Sequence, residues 1–180
     1  MMFVPQDSIL LMIDVQGKLA GLMHQKQALF KNIQVLIRAA RCLEIPILWT
    51  EQAPAKLGAT VPEIASWLAG EAPIPKTSFS CCAEESFRRA LTSIKRQQCI
   101  LTGIETHVCV YQTAADLACM GYEVQVVADA VSSRTLENKE IGLERIQAAG
   151  GRITSTEMIL FELLKTAEHK KFKEVAGLIQ

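Results

Sequence analysis

The sequence predicts an α/β fold in which a parallel sheet is covered by helices on both faces, an open three-layer sandwich. Short, wholly apolar runs alternate with longer stretches of helical periodicity from end to end. Strands that are apolar throughout belong in a sheet buried on both sides, and a helix between successive strands is the connection that parallel pairing needs. With 49% of its 180 residues apolar, the chain can bury one substantial core, and it reads as one domain over 1–180.

Each element has its own signal. Residues 8–13 form an apolar strand that ends at Asp14. Residues 27–43 place Ala28, Leu29, Ile33, Leu36, Ile37 and Ala40 at the spacing of an amphipathic helix. A second strand covers 45–50, and the longest irregular stretch of the first half, 52–60, has the position of a lid. A short helix over 61–68 carries Pro62 in its first turn, where its missing N–H is harmless. A third strand covers 76–78, a helix 84–94 and a strand 99–102. The helix over 108–120 ends at Gly121, and the strand over 123–128 ends at Asp129. A helix over 137–149 stops at Gly150 and Gly151, before a strand at 152–154 and helices at 155–165 and 172–179.

Charge and cysteine usage narrow the partners. Nineteen basic and nineteen acidic residues are scattered and sum to zero, which supports neither nucleic acid nor an anionic membrane as partner. A small molecule is the expected ligand. The first residues lack a basic n-region, and the first apolar run stops at Asp14, so neither a signal peptide nor a membrane span is read there. The expectation is a cytoplasmic protein. Six cysteines without a CxxC spacing then read as reduced thiols. Cys81 and Cys82 are taken as small residues in a loop before a helix, and Cys42 and Cys119 as core thiols.

Sheets of this class bind ligands beyond the carboxyl ends of their strands. Asp14, the stretch after Thr50, Lys76, the junction after Gly103 and Asp129 all fall on that rim, although Asp129 reads as loop structure. The junction from Leu101 to Val110 carries the sharpest signal, because Cys109 stands in the first turn of a helix. Unpaired N–H groups and the helix dipole favour a thiolate there. The dipole supplies about 0.3–2 kcal/mol, whereas lowering a thiol from about 8.5 to about 6 takes roughly 3.4 kcal/mol, so a neighbouring cation or base is required. Asp14 reads equally as a buried partnered carboxylate or as a turn cap, and Lys76 gains weight from its company. A carboxylate, an ammonium and a thiol on one rim make a base, a tuning charge and a nucleophile.

Five segments carry a resemblance: LLMIDVQ (10–16), ILWTEQ (47–52), PKTSFS (75–80), LTGIETHVCVYQTAADL (101–117) and VVADAVSSR (126–134). Together, in this order, they resemble the isochorismatase-like cysteine hydrolase superfamily, which includes nicotinamidases and N-carbamoylsarcosine amidases. The chain is most similar to isochorismatase-domain-containing proteins of uncertain substrate. The resemblance implies a six-stranded parallel Rossmann-like sheet, a homo-oligomer, and a catalytic triad at Asp14, Lys76 and Cys109. Cys109 would attack a carbonyl to give a thioester, Asp14 would shuttle the proton, and Lys76 would support both. It also implies a cis peptide at Ile104–Glu105 and an oxyanion hole from the N–H groups of Glu105 and Cys109.

Two departures shape what is carried over. The loop after the second strand reads Thr50, Glu51, Gln52, Ala53, Pro54, without the histidine that nicotinamidases use for a metal, and His24, His107 and His169 do not restore that set. Family members that cleave a vinyl ether carry a small residue where this chain has Cys109. The expected activity is therefore cofactor-free cleavage of a small amide or related acyl compound. A relict binding or scaffold protein, a metal-dependent nicotinamidase-like amidase and a thiol redox sensor are the alternatives. Further pocket candidates are Gln16, Trp49, Glu51, Gln52, Phe79, His107, Tyr111 and Arg134. For each, packing or a local ion pair is the competing explanation.

Overall fold

Six strands form one parallel sheet in the order β3-β2-β1-β4-β5-β6: β1 (Ser8–Ile13), β2 (Ile47–Gln52), β3 (Ile74–Lys76), β4 (Gln98–Ile104), β5 (Glu123–Ser132) and β6 (Arg152–Thr154). This structure, a computed structural model, describes residues 2–179, so the end residues of the expected 1–180 domain lie outside the described residues. Order reverses between the neighbours β1 and β4. The crevice of a doubly wound sheet opens at that point.

Alternation along β1 builds two cores. Leu10 and Met12 face a cluster that includes Ile33 and Ile37 of α2 (Lys26–Cys42) and Ile159 and Leu163 of α8 (Thr156–Leu164). Ile9, Leu11 and Ile13 face Phe87 and Leu91 of α5 (Glu85–Ile94), Leu117 of α6 (Tyr111–Cys119) and Ile146 of α7 (Leu136–Ala148). Each fully buried side chain of this size contributes about 1.5–3 kcal/mol. Two faces of such residues explain why the strand runs are unbroken by polar positions.

Several boundaries differ from the sequence reading for local reasons. β2 begins and ends two residues later than 45–50, and β3 lies at 74–76 rather than 76–78. Pro75 is tolerated because β3 is the edge strand, with no outer neighbour needing its N–H. The expected helix over 61–68 divides into α4 (Pro62–Ala65) and a 3-10 turn (Ser66–Leu68), and the last helix, α9, stops at Phe172–Ala176. Two short helices also appear: α3 (Pro54–Leu57), inside the stretch read as irregular, and α1 (Gly17–Gly21), in a segment to which the sequence reading gave no element. β5 continues past Asp129 to Ser132: its pairing shifts from Leu101↔Val126 to Gly103↔Val131. Asp129 sits in that bulge, where Oδ1 accepts from the N–H and hydroxyl of Thr156.

Candidate active site

Asp14 follows β1 directly, held at φ 52° in the left-handed region that aspartate tolerates better than most residues. Its N–H donates to the Thr50 carbonyl at 3.2 Å, and its Oδ1 accepts from the Thr50 hydroxyl at 2.7 Å. Lys76, at the end of β3, places Nζ 2.7 Å from Asp14 Oδ2, with the lysine side chain fully buried. Three more acceptors surround the ammonium: Gln52 Oε1 at 2.6 Å and the carbonyls of Ser78 and Phe79 at 3.0 Å each. A charge this deep is tolerable because every N–H has an oxygen.

Cys109 completes the group from the other side of the switch point. Residues Thr106–Val110 form a π-helical turn before α6. The Glu105 carbonyl accepts from the N–H groups of Val108 and Val110, at 3.1 and 3.2 Å, and so steps over Cys109 between them. π-turns of this kind widen a helix locally and occur often at functional sites. The Ile104–Glu105 peptide is cis. Gly142 lets α7 lie directly on the turn, since a Cβ there would stand 2.8 Å from His107 N and Thr106 C.

The ionisation state of Cys109 corrects the expectation of a pre-formed thiolate. Burial pushes its thiol up to about 12, the adjacent Asp14 carboxylate adds to the rise, and the Lys76 ammonium opposes it. The rise from 9.0 corresponds to roughly 4 kcal/mol, more than a helix terminus can offset. At neutral pH the resting group is a thiol beside the Asp14 carboxylate.

The same burial sets the alkaline limit of the fold. The Cys81 thiol is pushed up to about 11, and those of Cys82 and Cys99 to about 12, by burial foremost. Unfolded thiols release protons above about pH 9 that the folded ones retain. The unfolded state then binds fewer protons, and unfolding free energy falls as pH rises. Stability from these groups is complete below pH 9 and is lost progressively towards pH 12. The urea midpoint is expected to drop between about pH 8 and about pH 10.5, and Cys109→Ala should flatten that drop. A midpoint unchanged over this range would contradict the assignment.

Asp14 and Cys109 open onto a cavity of about 110 Å³. Leu19, Leu57, Phe79, Ile104 and Val108 give it apolar walls, and Gln16, Gln52 and Glu105 supply the remaining polar groups. Two larger grooves of about 710 Å³ each lie near Cys42 and Lys171, away from the carboxylate, ammonium and thiol. Gln16 pins the segment after β2, donating to the Gly58 carbonyl at 2.6 Å and accepting from Gln52 N–H at 2.6 Å. Phe79 is exposed on its outer face and forms part of the cavity mouth.

Other pocket candidates lie elsewhere. Trp49 is buried on the opposite face of the sheet, packed in the cluster with Met12, because strand alternation points it away from Cys109. Glu51 is buried and accepts from the Thr60 N–H and hydroxyl, closing the loop rather than facing the cavity. His107 pairs through Nδ1 with Ser133 Oγ at 3.0 Å. Tyr111 accepts from Arg145, and Arg134 binds Glu105 through Nε at 3.1 Å, so neither lines the cavity. Cys119 is exposed rather than a core thiol. Thr50, which orients Asp14, was not singled out from sequence; its place opposite Ile13 in the parallel register is the signal that finds it.

A doubly wound α/β scaffold with a thiol, a carboxylate and an ammonium at its switch point is a hydrolase architecture. The profile of the Isochorismatase domain matches residues 8–158, and the chain belongs to this family. It is 41% identical over 173 residues to isochorismatase domain-containing protein 2 of Danio rerio, covering 96% of this chain and 86% of that one. A solved structure described as MAR1 ribonuclease from Caenorhabditis elegans superposes with a TM-score of 0.93 at 40% identity, over 99% of this chain and 92% of that one. The YcaC gene product of Escherichia coli, described as an octameric hydrolase of unknown specificity, shares the fold with a TM-score of 0.93 at 22% identity, over 99% and 89% of the two chains. Among the described residues, no group of His, Cys, Asp and Glu is arranged to hold a metal ion, and no helix is long and apolar enough to cross a membrane.

Proposed function

We propose that the chain is a cysteine hydrolase that cleaves small amides or related acyl compounds through a thioester on Cys109. The observation that carries this reading is the shared carboxylate: Asp14 is ion-paired to Lys76 at 2.7 Å and lines one small cavity together with the Cys109 thiol. Moving the thiol proton to Asp14 leaves the net charge of the buried group unchanged, because a new thiolate replaces the carboxylate as partner of Lys76. It also removes the negative charge that raised the thiol. Attack and proton transfer are thereby coupled, and the resting enzyme needs no free thiolate.

Sulfur then adds to the acyl carbon, and the developing oxyanion is received by the N–H groups of Glu105 and Cys109. Protonated Asp14 gives its proton to the leaving nitrogen, the C–N bond breaks, and an amine or ammonia departs. Asp14 next takes a proton from water as that water attacks the thioester, and returns it to the departing sulfur. A cavity of about 110 Å³ suits a substrate of a few heavy atoms rather than a nucleotide. The balanced surface charge likewise favours a small molecule over RNA, although the similar Caenorhabditis elegans protein is named a ribonuclease. The Escherichia coli YcaC product, described as octameric, supports assembly of this chain into a homo-oligomer.

Mass spectrometry tests both statements. Small amides, ureides and N-carbamoyl compounds, with a short RNA alongside, are incubated with the protein. The expected result is an acyl adduct on Cys109 and loss of turnover by about 10,000-fold or more in Cys109→Ala. Turnover surviving in Cys109→Ala defeats the nucleophile assignment, and a native mass of 19.8 kDa defeats the oligomer.

A further inference from the structure

Glu105 brings a buried carboxylate to the wall of the Cys109 cavity, its side chain only 10% exposed. Oε1 accepts from the backbone N–H and the Nε of Arg134, both at 3.1 Å. Oε2 accepts no hydrogen bond among the described residues and is not sealed off by protein. The other polar side chains at the cavity are committed elsewhere. Gln16 is held by Gly58 and Gln52, Gln52 by Lys76 and Thr77, and Asp14 by Thr50 and Lys76. Glu105 Oε2 is therefore the carboxylate oxygen of this cavity wall that no protein donor takes up among the described residues.

We infer that Glu105 is a specificity-determining residue that selects acyl compounds carrying an N–H donor beside the reacting carbon and rejects those ending in a carboxylate. This rests on the proposed reading of Cys109 as nucleophile. A carboxylate oxygen can only accept, so its complement must bring a proton. Apolar walls raise the cost of a second negative charge in so small a space. Arg134 offsets only part of that repulsion, because its side chain is 57% exposed and its charge is screened by solvent. The guanidinium also fixes one carboxylate oxygen and leaves the other without a protein partner.

Two thiol reagents of the same size read this selectivity without a known substrate. Iodoacetamide ends in an amide and iodoacetate in a carboxylate. With either, a C–S bond forms, the C–I bond breaks, iodide leaves and the thiol proton passes to solvent. Exposed Cys119 on the same chain is the internal reference. Peptide mass spectrometry over time should give an amide-to-acid rate ratio at Cys109 about tenfold or more above that at Cys119. Glu105→Gln should bring the Cys109 ratio down to the Cys119 value, and Arg134→Gln should raise it, with circular dichroism reporting on the fold.

Equal ratios at the two thiols overturn the inference, as does a Glu105→Gln protein that keeps the wild-type ratio or a Cys109 that iodoacetamide does not alkylate. If Glu105→Gln does not fold, Arg134→Gln decides, and a ratio that fails to rise overturns the inference. An acyl adduct on Cys109 without discrimination sinks only the selectivity. Discrimination without an acyl adduct sinks the hydrolase reading instead.

Discussion

Replacing Lys76 by methionine is expected to cost about 3–5 kcal/mol of folding stability and to abolish hydrolysis. The lysine side chain is fully buried, and its ammonium is the cation that balances Asp14. Without it the carboxylate retains only the Thr50 hydroxyl, and three further oxygens, from Gln52, Ser78 and Phe79, face a thioether that cannot donate. Asp14→Asn should cost less, because Lys76 keeps those three acceptors. The two partners of one ion pair thus differ in their effect on the fold. Removing both charges, in an Asp14→Asn and Lys76→Met double variant, should recover part of the loss, since no uncompensated buried charge remains and asparagine tolerates the positive φ of this position. Urea unfolding at pH 7 measures all three. A Lys76→Met midpoint within about 1 kcal/mol of wild type would show that the cation is not needed to hold the site together. For activity the argument is separate: a thiolate formed by proton transfer to Asp14 has no other buried cation beside it, so the acyl adduct on Cys109 should vanish in any Lys76→Met protein that folds.

The sheet was legible in the sequence because both of its faces are buried. Continuous apolar runs such as residues 9–13 are too short for a buried helix and read as strands, and the parallel register then carries Asp14 and Lys76 to the same rim. What sequence spacing does not report is which face a residue takes once a strand boundary moves. β2 extends to Gln52, and alternation then buries Trp49 against Met12 while leaving Gln52 at the cavity. Three residues of the β5 bulge are similarly invisible, because the pairing shift at Gly103↔Val131 is set by tertiary packing rather than by composition.

The state of Cys109 shows a second limit. A helix terminus is a local feature that can be read from spacing, whereas desolvation depends on what packs around the sulfur. Leu19, Leu57 and Phe79 reach the cavity from segments far apart in sequence. The larger, non-local effect prevails, and it converts an expected thiolate into a thiol whose ionisation is tied to Asp14. The role of Thr50 was hidden for the same reason: a strand-end threonine is unremarkable until the neighbouring strand delivers a carboxylate to it.

Gly103→Ala should remove about 4 kcal/mol or more and scatter the site even where the chain still folds. Gly103 lies in β4 with φ 116°, a conformation that side chains resist. A Cβ there would stand 2.1 Å from the Ile13 carbonyl oxygen, 2.6 Å from Ile13 N and 2.8 Å from Ile13 C. These are backbone atoms of the paired central strand, so no side-chain rotation relieves the clash. Relief requires β1 and β4 to part at their carboxyl ends. Asp14 follows the first of those ends and the π-turn bearing Cys109 follows the second, so the same displacement separates Asp14 from Cys109. Gly121→Ala provides the control. Gly121 also has positive φ, at 87°, but an added Cβ meets nothing within 4 Å, and only the conformational cost of about 1–2 kcal/mol applies. Urea unfolding of the two variants separates close approach from backbone preference. Equal losses at the two positions would mean that the contact with Ile13 yields, and that the strands beneath the site are less constrained than their register implies.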